Sequence, residues 1–341
     1  MNRRKFLVGT AASAAALAGL SNAGWAQGQA PAGRGGQGGR GGGRGGGSGA
    51  SAAILARIGI MTLNHSNMIK MPWQEATAER TLDILDVPQY YVDEYGVRNV
   101  EFQDNHVVQD DDNPEVDLDF VRELKARLDA AGSKGGQINI EIGTMAQAPD
   151  GGGPAAALSG DERAAWIATA KKWVDLAPIL GVERLMLNQG ALTEDSKAGV
   201  ISMWKELQDY ATPKGVKISG ETRGSGTPGG MPTPTSEQER QRYVWGIVVE
   251  CAEASGGYTN LDFGSASRFR NQQQLHDGIQ GMLPRTAGSM HTRISPTWDL
   301  GQAIRYAESI GYTGLYTIEV RTDPAVRQIY NTVVANLTQL A

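Results

Sequence analysis

Cysteine is almost absent from this 341-residue chain: Cys251 stands alone, so no disulfide can form within it and a packed core has to supply the stability. Histidine is scarce too, with four in the whole sequence. The one long apolar stretch, Phe6 to Leu20, is too short to span a bilayer. Basic clusters are missing after residue 50. The net charge is −5, and the first fifty residues hold six basic residues and no acidic one, which leaves −11 for the remainder. A surface that acidic repels a polyanion, which argues against nucleic acid as a partner.

Residues 1–26 combine a basic start, the apolar stretch and a small-residue end at Gly24-Trp25-Ala26, the layout of a cleaved export signal. Within it, Arg3-Arg4-Lys5-Phe6-Leu7 resembles the twin-arginine signal, which implies passage of a folded chain across a bacterial inner membrane and no stable membrane insertion after cleavage. The expected location is periplasmic or otherwise exported. Residues 27–53 follow as a glycine-rich linker. Its segment Gly33 to Gly49 is nearly all glycine with Arg34, Arg40 and Arg44 interspersed, a composition that buries too little apolar surface to fold. An RNA-binding arm of the same composition would track phosphates, but an exported chain meets no RNA.

From Ile54 to Ala341 there are 288 residues, near the ~250 of a single (β/α)₈ barrel. Eight short runs rich in Ile, Val, Leu and Met have strand length: Arg57–Leu63, Asn99–Gln103, Gln137–Ile142, Arg184–Asn188, Lys217–Glu221, Tyr258–Phe263, Ser289–Ile294 and Gly314–Val320. Longer stretches between them carry apolar residues three and four apart, as in Val200, Met203, Trp204, Leu207 and Ala211, or Val326, Ile329, Val333 and Leu337. Alternation of this kind predicts an α/β fold, and eight strands close a TIM barrel in one domain, residues 54–341. Gly96, Gly132, Gly181, Gly257 and Gly311 stand where helices should end in a left-handed cap. Trp166, Trp173 and Trp204 lie among apolar helix residues and are expected to pack in the outer layer. Two insertions, Asn64 to Thr77 and Arg223 to Ser236, follow the first and fifth strands and are expected over the barrel mouth.

Glu221 ends the fifth strand, Asp262 ends the sixth, His291 lies in the seventh and Glu319 near the end of the eighth, at intervals of 41, 29 and 28 residues. Each interval is about one βα unit, so the chain returns to the same rim each time and the four residues converge. Singly, each would read as a salt-bridge, cap or core residue. Together, three carboxylates and an imidazole make a hard, oxygen-rich donor set that suits one divalent ion, Mn²⁺, Mg²⁺ or Co²⁺. Without a cation, their formal charge of about −3 is too costly to gather at one point.

Ile218-Ser219-Gly220-Glu221, Leu261-Asp262-Phe263-Gly264, His291-Thr292-Arg293 and Ile318-Glu319 together resemble the xylose isomerase-like sugar phosphate isomerase/epimerase family, over about residues 55–341. The resemblance implies that Glu221, Asp262, His291 and Glu319 bind a catalytic divalent metal, often manganese. It also implies that Glu221 and Glu319 move protons through an enediolate. Arg293 replaces the family's frequent lysine and keeps a positive charge for an oxyanion or ligand carboxylate. Ser265 stands where ketose epimerases of this family place a substrate-binding histidine, which leaves the sugar open. Gln103, His106, His65, Glu141 and Asn188 are candidate substrate contacts, with Asn64 and Gln189 beside them.

The leading expectation is a metal-dependent isomerase or epimerase on a sugar or keto-sugar, unphosphorylated because the protein is exported. A lyase or glycoside-cleaving enzyme on 3-keto-sugars would use the same site plus an acid such as His106. A non-catalytic sugar-binding barrel would be expected to have lost the carboxylates. The family's DNA-repair endonuclease branch needs more histidines than this chain has.

Overall fold

The computed structural model describes residues 50–75, 77–142, 160–188, 192, 194–222, 236–264 and 269–341. The expected export segment, nearly all of the glycine-rich linker, Gln189, Ser265 and residues 223–235 of the second insertion lie outside them.

All eight expected strands form: β1 (Ile58–Met61), β2 (Asn99–Gln103), β3 (Lys134–Ile140), β4 (Arg184–Leu187), β5 (Lys217–Glu221), β6 (Tyr258–Asp262), β7 (Thr286–Thr292) and β8 (Leu315–Ile318). Each pairs in parallel with its sequence neighbours, and β1 pairs with both β8 and β2, so the sheet closes into a (β/α)₈ TIM barrel. The strands read as buried runs because both their faces are covered, by the barrel interior and by helices.

A helix of nine residues or more follows each strand, preceded after β5 by a short one at Glu237–Gln241: α1 (Val87–Tyr95), α2 (Leu118–Ala130), α3 (Gly160–Leu180), α4 (Glu194–Ala211), α5 (Ile247–Ser255), α6 (Gln272–Met282), α7 (Leu300–Ser309) and α8 (Asp323–Leu340). Their apolar stripes are buried as the spacing predicts: Val200, Met203, Trp204, Leu207 and Ala211 on α4, and Val326, Ile329, Val333 and Leu337 on α8. Trp166, Trp173 and Trp204 are buried in this outer layer. Among the described residues, no helix is long and apolar enough to cross a membrane.

One expected cap is displaced. The left-handed residue after α5 is Gly256 (φ 76°), not Gly257. Gly257 is glycine for another reason, since a Cβ there would lie 3.1 Å from Ser255 Oγ and 3.3 Å from the Ile218 carbonyl oxygen. The first insertion carries a small parallel ribbon, Ile69–Lys70 against Leu82–Asp83, in the segment that joins β1 to α1.

The barrel interior is unusually polar. Ser219 and Glu221, Asn260 and Asp262, Ser289 and His291, and Thr317 and Glu319 each stand two residues apart, so on each strand a small polar residue lies beneath a functional one. Asn99, Glu101 and Gln103 on β2, and Gln137 and Asn139 on β3, repeat the pattern, and all of these residues are buried.

Candidate metal centre

Register delivers the cluster. Asp262 on β6 is level with His291 on β7, and His291 is level with Thr317 on β8, two residues before Glu319. Glu221, Asp262 and His291 are all buried and offer ligand atoms that lie within 4.8 Å of one another. Glu319 joins from the β8 side: its Oε2 is 2.8 Å from His291 Nδ1, while Glu221 Oε2 is 3.7 Å from the same nitrogen. Glu221 and Glu319 therefore approach His291 through the same ring nitrogen, Nδ1.

Asp262 is held by its surroundings. The Thr222 hydroxyl accepts from the Asp262 backbone N–H at 3.1 Å and donates to its carbonyl at 2.9 Å. Gly264, in a left-handed conformation (φ 61°), donates its N–H to Asp262 Oδ1 at 2.7 Å. Arg293 donates Nε to Oδ1 at 2.9 Å and Nη2 to Oδ2 at 3.2 Å, and its Nη2 also pairs with Glu319. Arg293 thus bridges two of the expected ligands.

Burial alone would raise the Glu319 carboxyl, but the charges of Arg293 and His291 outweigh it and hold the group below its ordinary range. Burial would likewise push the His291 imidazole down, yet Glu101 and Glu319 outweigh it and hold it well above the usual histidine range. Two buried atoms converge here, His291 Nδ1 and Glu319 Oε2, 2.8 Å apart and with no hydrogen-bond partner other than each other. A buried nitrogen and a carboxylate oxygen that meet only each other, with two further carboxylates beside them, fit a divalent cation.

The other candidates are placed differently. Glu141 and Asn188 meet at the mouth above β3 and β4, where Asn188 Nδ2 donates to Glu141 Oε1 at 3.0 Å. Gln103 donates its Nε2 to Asp104 at 3.0 Å, and Asp104 also receives the Glu141 N–H. Burial raises the Asp104 carboxyl to about 6. His106 is 4% exposed and bonds Thr62 Oγ1 through Nδ1 at 2.8 Å. Burial, with Arg80 second, pushes its imidazole down to about 4.

His65 turns away from the cluster, with Nδ1 3.1 Å from Tyr91 OH on α1 and Nε2 3.7 Å from Asp323 on α8. Asn64 spends its amide on the backbone beyond β8, donating to Ile318 O at 2.8 Å and accepting from Val320 N at 2.7 Å. Its role is to fasten the first loop to the last strand. A cavity of about 910 Å³ lies at the opposite end of the barrel, by Leu55, Val92, Arg98, Asp129 and Lys134, and none of the candidate residues lines it.

The residue that sequence reasoning missed is Glu101. It is 1% exposed, and its Oε1 lies 2.6 Å from His291 Nε2, across the barrel interior from β2 to β7. The signal was the alternation Asn99-x-Glu101-x-Gln103, which places polar side chains on one face of an otherwise buried strand.

No family profile matches the chain, and no curated protein matches it. Solved structures do. A sugar phosphate isomerase/epimerase from Parabacteroides distasonis superposes with a TM-score of 0.55 at 14% identity, covering 86% of this chain and 95% of its own. A D-psicose 3-epimerase from Clostridium cellulolyticum H10, solved with D-tagatose, gives 0.54 at 13%, covering 83% and 97%. An AP endonuclease of family 2 from Brucella melitensis gives 0.55 at 16%, covering 81% and 98%. At these identities the likeness establishes the fold, a TIM barrel shared by sugar isomerases and a nuclease alike.

Proposed function

We propose that the protein is a divalent-metal-dependent sugar isomerase or epimerase, with Glu221, Asp262, His291 and Glu319 as the residues that would hold the ion. The observation that carries this reading is the gathering of ligand atoms of the buried Glu221, Asp262 and His291 within 4.8 Å of one another, with Glu319 Oε2 2.8 Å from His291 Nδ1 and neither of those two atoms bonded to anything else. Manganese is the expected ion, with magnesium or cobalt as substitutes. When bound, such an ion polarises a carbonyl and its neighbouring hydroxyl.

The chain's own groups do the rest. Glu221 and Glu319, approaching from β5 and β8, are the carboxylates that take and return the proton on the carbon beside the carbonyl. Arg293 and His291 keep Glu319 ionised at neutral pH, so it enters the reaction as a base. Asn188, Glu141 and Gln103 form the polar wall on the opposite side of the mouth, suited to hydroxyl groups. Export, for which Arg3-Arg4-Lys5-Phe6-Leu7 is the support, favours an unphosphorylated sugar. The bond-cleaving alternative gains little from His106: with its imidazole down at about 4, the ring is neutral at neutral pH and lacks the acidic proton of an imidazolium, the form suited to protonating a leaving group.

The test is proton NMR in D₂O of manganese-loaded protein against free ketoses and 3-keto-glycosides, followed by paramagnetic ion removal before acquisition. Wild type should incorporate deuterium beside the carbonyl without releasing an aglycone. Glu221→Gln and Glu319→Gln should each lower the rate by at least ~10²-fold, with unchanged circular dichroism. Wild-type rates in both variants would end this reading, and aglycone release would replace it with the lyase one.

A further inference from the structure

The interior of a (β/α)₈ barrel is ordinarily filled by layers of branched apolar side chains. Here a carboxylate, Glu101, sits in that interior with 1% exposure and, among the described residues, no lysine or arginine hydrogen-bonded to it. Stripping water from a carboxylate is expensive and is tolerated where hydrogen bonds replace the water. Four side chains from two other strands do so. Asn139 Nδ2 donates to Oε1 at 2.7 Å and Gln137 Nε2 at 3.3 Å, both from β3. From β7, Ser289 Oγ approaches Oε2 at 3.5 Å, and His291 Nε2 lies 2.6 Å from Oε1. Ser289 is itself fixed by Thr317 Oγ1 at 2.9 Å.

The shortest of these contacts goes to the histidine of the candidate metal centre. A carboxylate accepts and cannot donate, so the contact commits the ring's Nε2 to carrying a hydrogen. In the neutral ring the lone pair then lies on Nδ1, the nitrogen that faces Glu319 at 2.8 Å and Glu221 at 3.7 Å. The ring is thereby fixed at both ends, by Glu101 below and by the ligand oxygens above.

We propose that Glu101 is a positioning residue that selects the tautomer of His291 and aims its Nδ1 into the metal centre. Asn139 and Gln137 act one step further back by holding the Glu101 carboxylate. This inference rests on the metal-site reading above, and it assigns to the barrel floor a task that packing does not require. Carboxylate partners of this kind are worth about 10- to 100-fold in metal affinity where they orient a histidine ligand.

The experiment measures the Mn²⁺ dissociation constant of the full folded protein by competition with a chromophoric chelator, for wild type, Glu101→Gln and Asn139→Ala. Glu101→Gln should weaken binding by ~10- to 100-fold and Asn139→Ala by severalfold, without loss of secondary structure. A second readout is the His291 Nε2 proton in protein loaded with diamagnetic Zn²⁺. It should appear as a far-downfield, slowly exchanging signal in wild type and move upfield in Glu101→Gln, which a merely space-filling role would not cause. If wild type binds Mn²⁺ tightly and both variants bind equally well, the positioning role is overturned while the metal reading stands. If wild type binds no divalent ion, the metal reading itself falls, and this one with it. Should Glu101→Gln fail to fold, Asn139→Ala decides: unchanged affinity and an unmoved proton signal overturn the proposal.

Discussion

Lowering the pH from neutrality toward 4 should cost this protein stability through His106, whose ring is 4% exposed and bonded to Thr62. In the unfolded chain the ring binds a proton with a pKa near 6.5, whereas burial first and Arg80 second push it down to about 4 in the fold. Between those values the unfolded state holds more protons than the folded one. The contribution is therefore complete above 6.5 and is lost as the pH falls toward 4. At ~1.4 kcal/mol per unit, the loss is ~2 kcal/mol at pH 5 and ~3 kcal/mol once pH 4 is passed. Replacing His106 by Gln removes this titration but leaves the buried carboxyls, Asp104 among them, to titrate alike in both proteins. The assay is urea unfolding of wild type and His106→Gln across the range, with ring-carbon NMR of the wild type, which has only three other histidines. The stability difference between the two proteins should shift by ~2 kcal/mol from pH 7 to pH 5, and the His106 ring should remain neutral at pH 5. A difference that stays flat, or a ring that titrates near 6.5, refutes the reasoning.

Two further perturbations probe the floor and the wall of the centre. A Cβ on Gly59 of β1 would lie 2.6 Å from Thr317 Oγ1, the hydroxyl that holds Ser289 beneath His291. Gly59→Ala should therefore destabilise the barrel by ~1–3 kcal/mol, read as a lower urea midpoint with an unchanged slope. Replacing Arg293 by Met leaves the Asp262 and Glu319 carboxylates buried without their guanidinium, a loss of ~3–5 kcal/mol in metal-free protein. Manganese should then raise the melting temperature more in Arg293→Met than in wild type, and an equal rise in both would show that Arg293 does not hold these two carboxylates together.

Much of the architecture was legible because the strands of a parallel barrel are covered on both faces and read as apolar runs, and because the helices between them keep their stripes. β2 and β5 begin and end where the sequence placed them, and β3 starts three residues earlier, at Lys134, since Gly135 and Gly136 carry no apolar signal. Spacing also placed four candidate ligands on one rim, since a residue at a strand end returns once per βα unit. Direction was harder to read. Asn64 and His65 follow β1 in a 3₁₀ turn, Thr62–His65, where the two-residue alternation of the strand no longer applies. Asn64 turns to the β8 backbone and His65 to Tyr91, so closeness to the rim did not make either a wall of the centre. Glu101 escaped for the opposite reason. A polar residue at every second position of a strand ordinarily marks a solvent face. Only closure of the barrel turns that face inward.

That inward polarity links the energetics of the fold to the chemistry proposed for it. Glu101, Glu221, Asp262 and Glu319 place four carboxylates around one imidazole, and Arg293 is the one guanidinium bonded to any of them among the described residues. Counting the described residues alone, a proton on His291 brings a second positive charge and leaves the group two charges short of neutrality. A divalent ion in exchange for that proton brings it to within one. The same substitution would give both His291 Nδ1 and Glu319 Oε2 a ligand bond in place of their contact with each other. Affinity for such an ion must then fall with acidification, because proton and cation compete for the one nitrogen. Glu101 is not placed to be a ligand of that ion, because it faces Nε2 on the other side of the ring and its oxygens accept from Asn139, Gln137 and Ser289. On the proposed reading, the carboxylate beneath the ring would orient it and the carboxylates above would hold the cation, so the same polar interior that costs the fold solvation energy would supply the site.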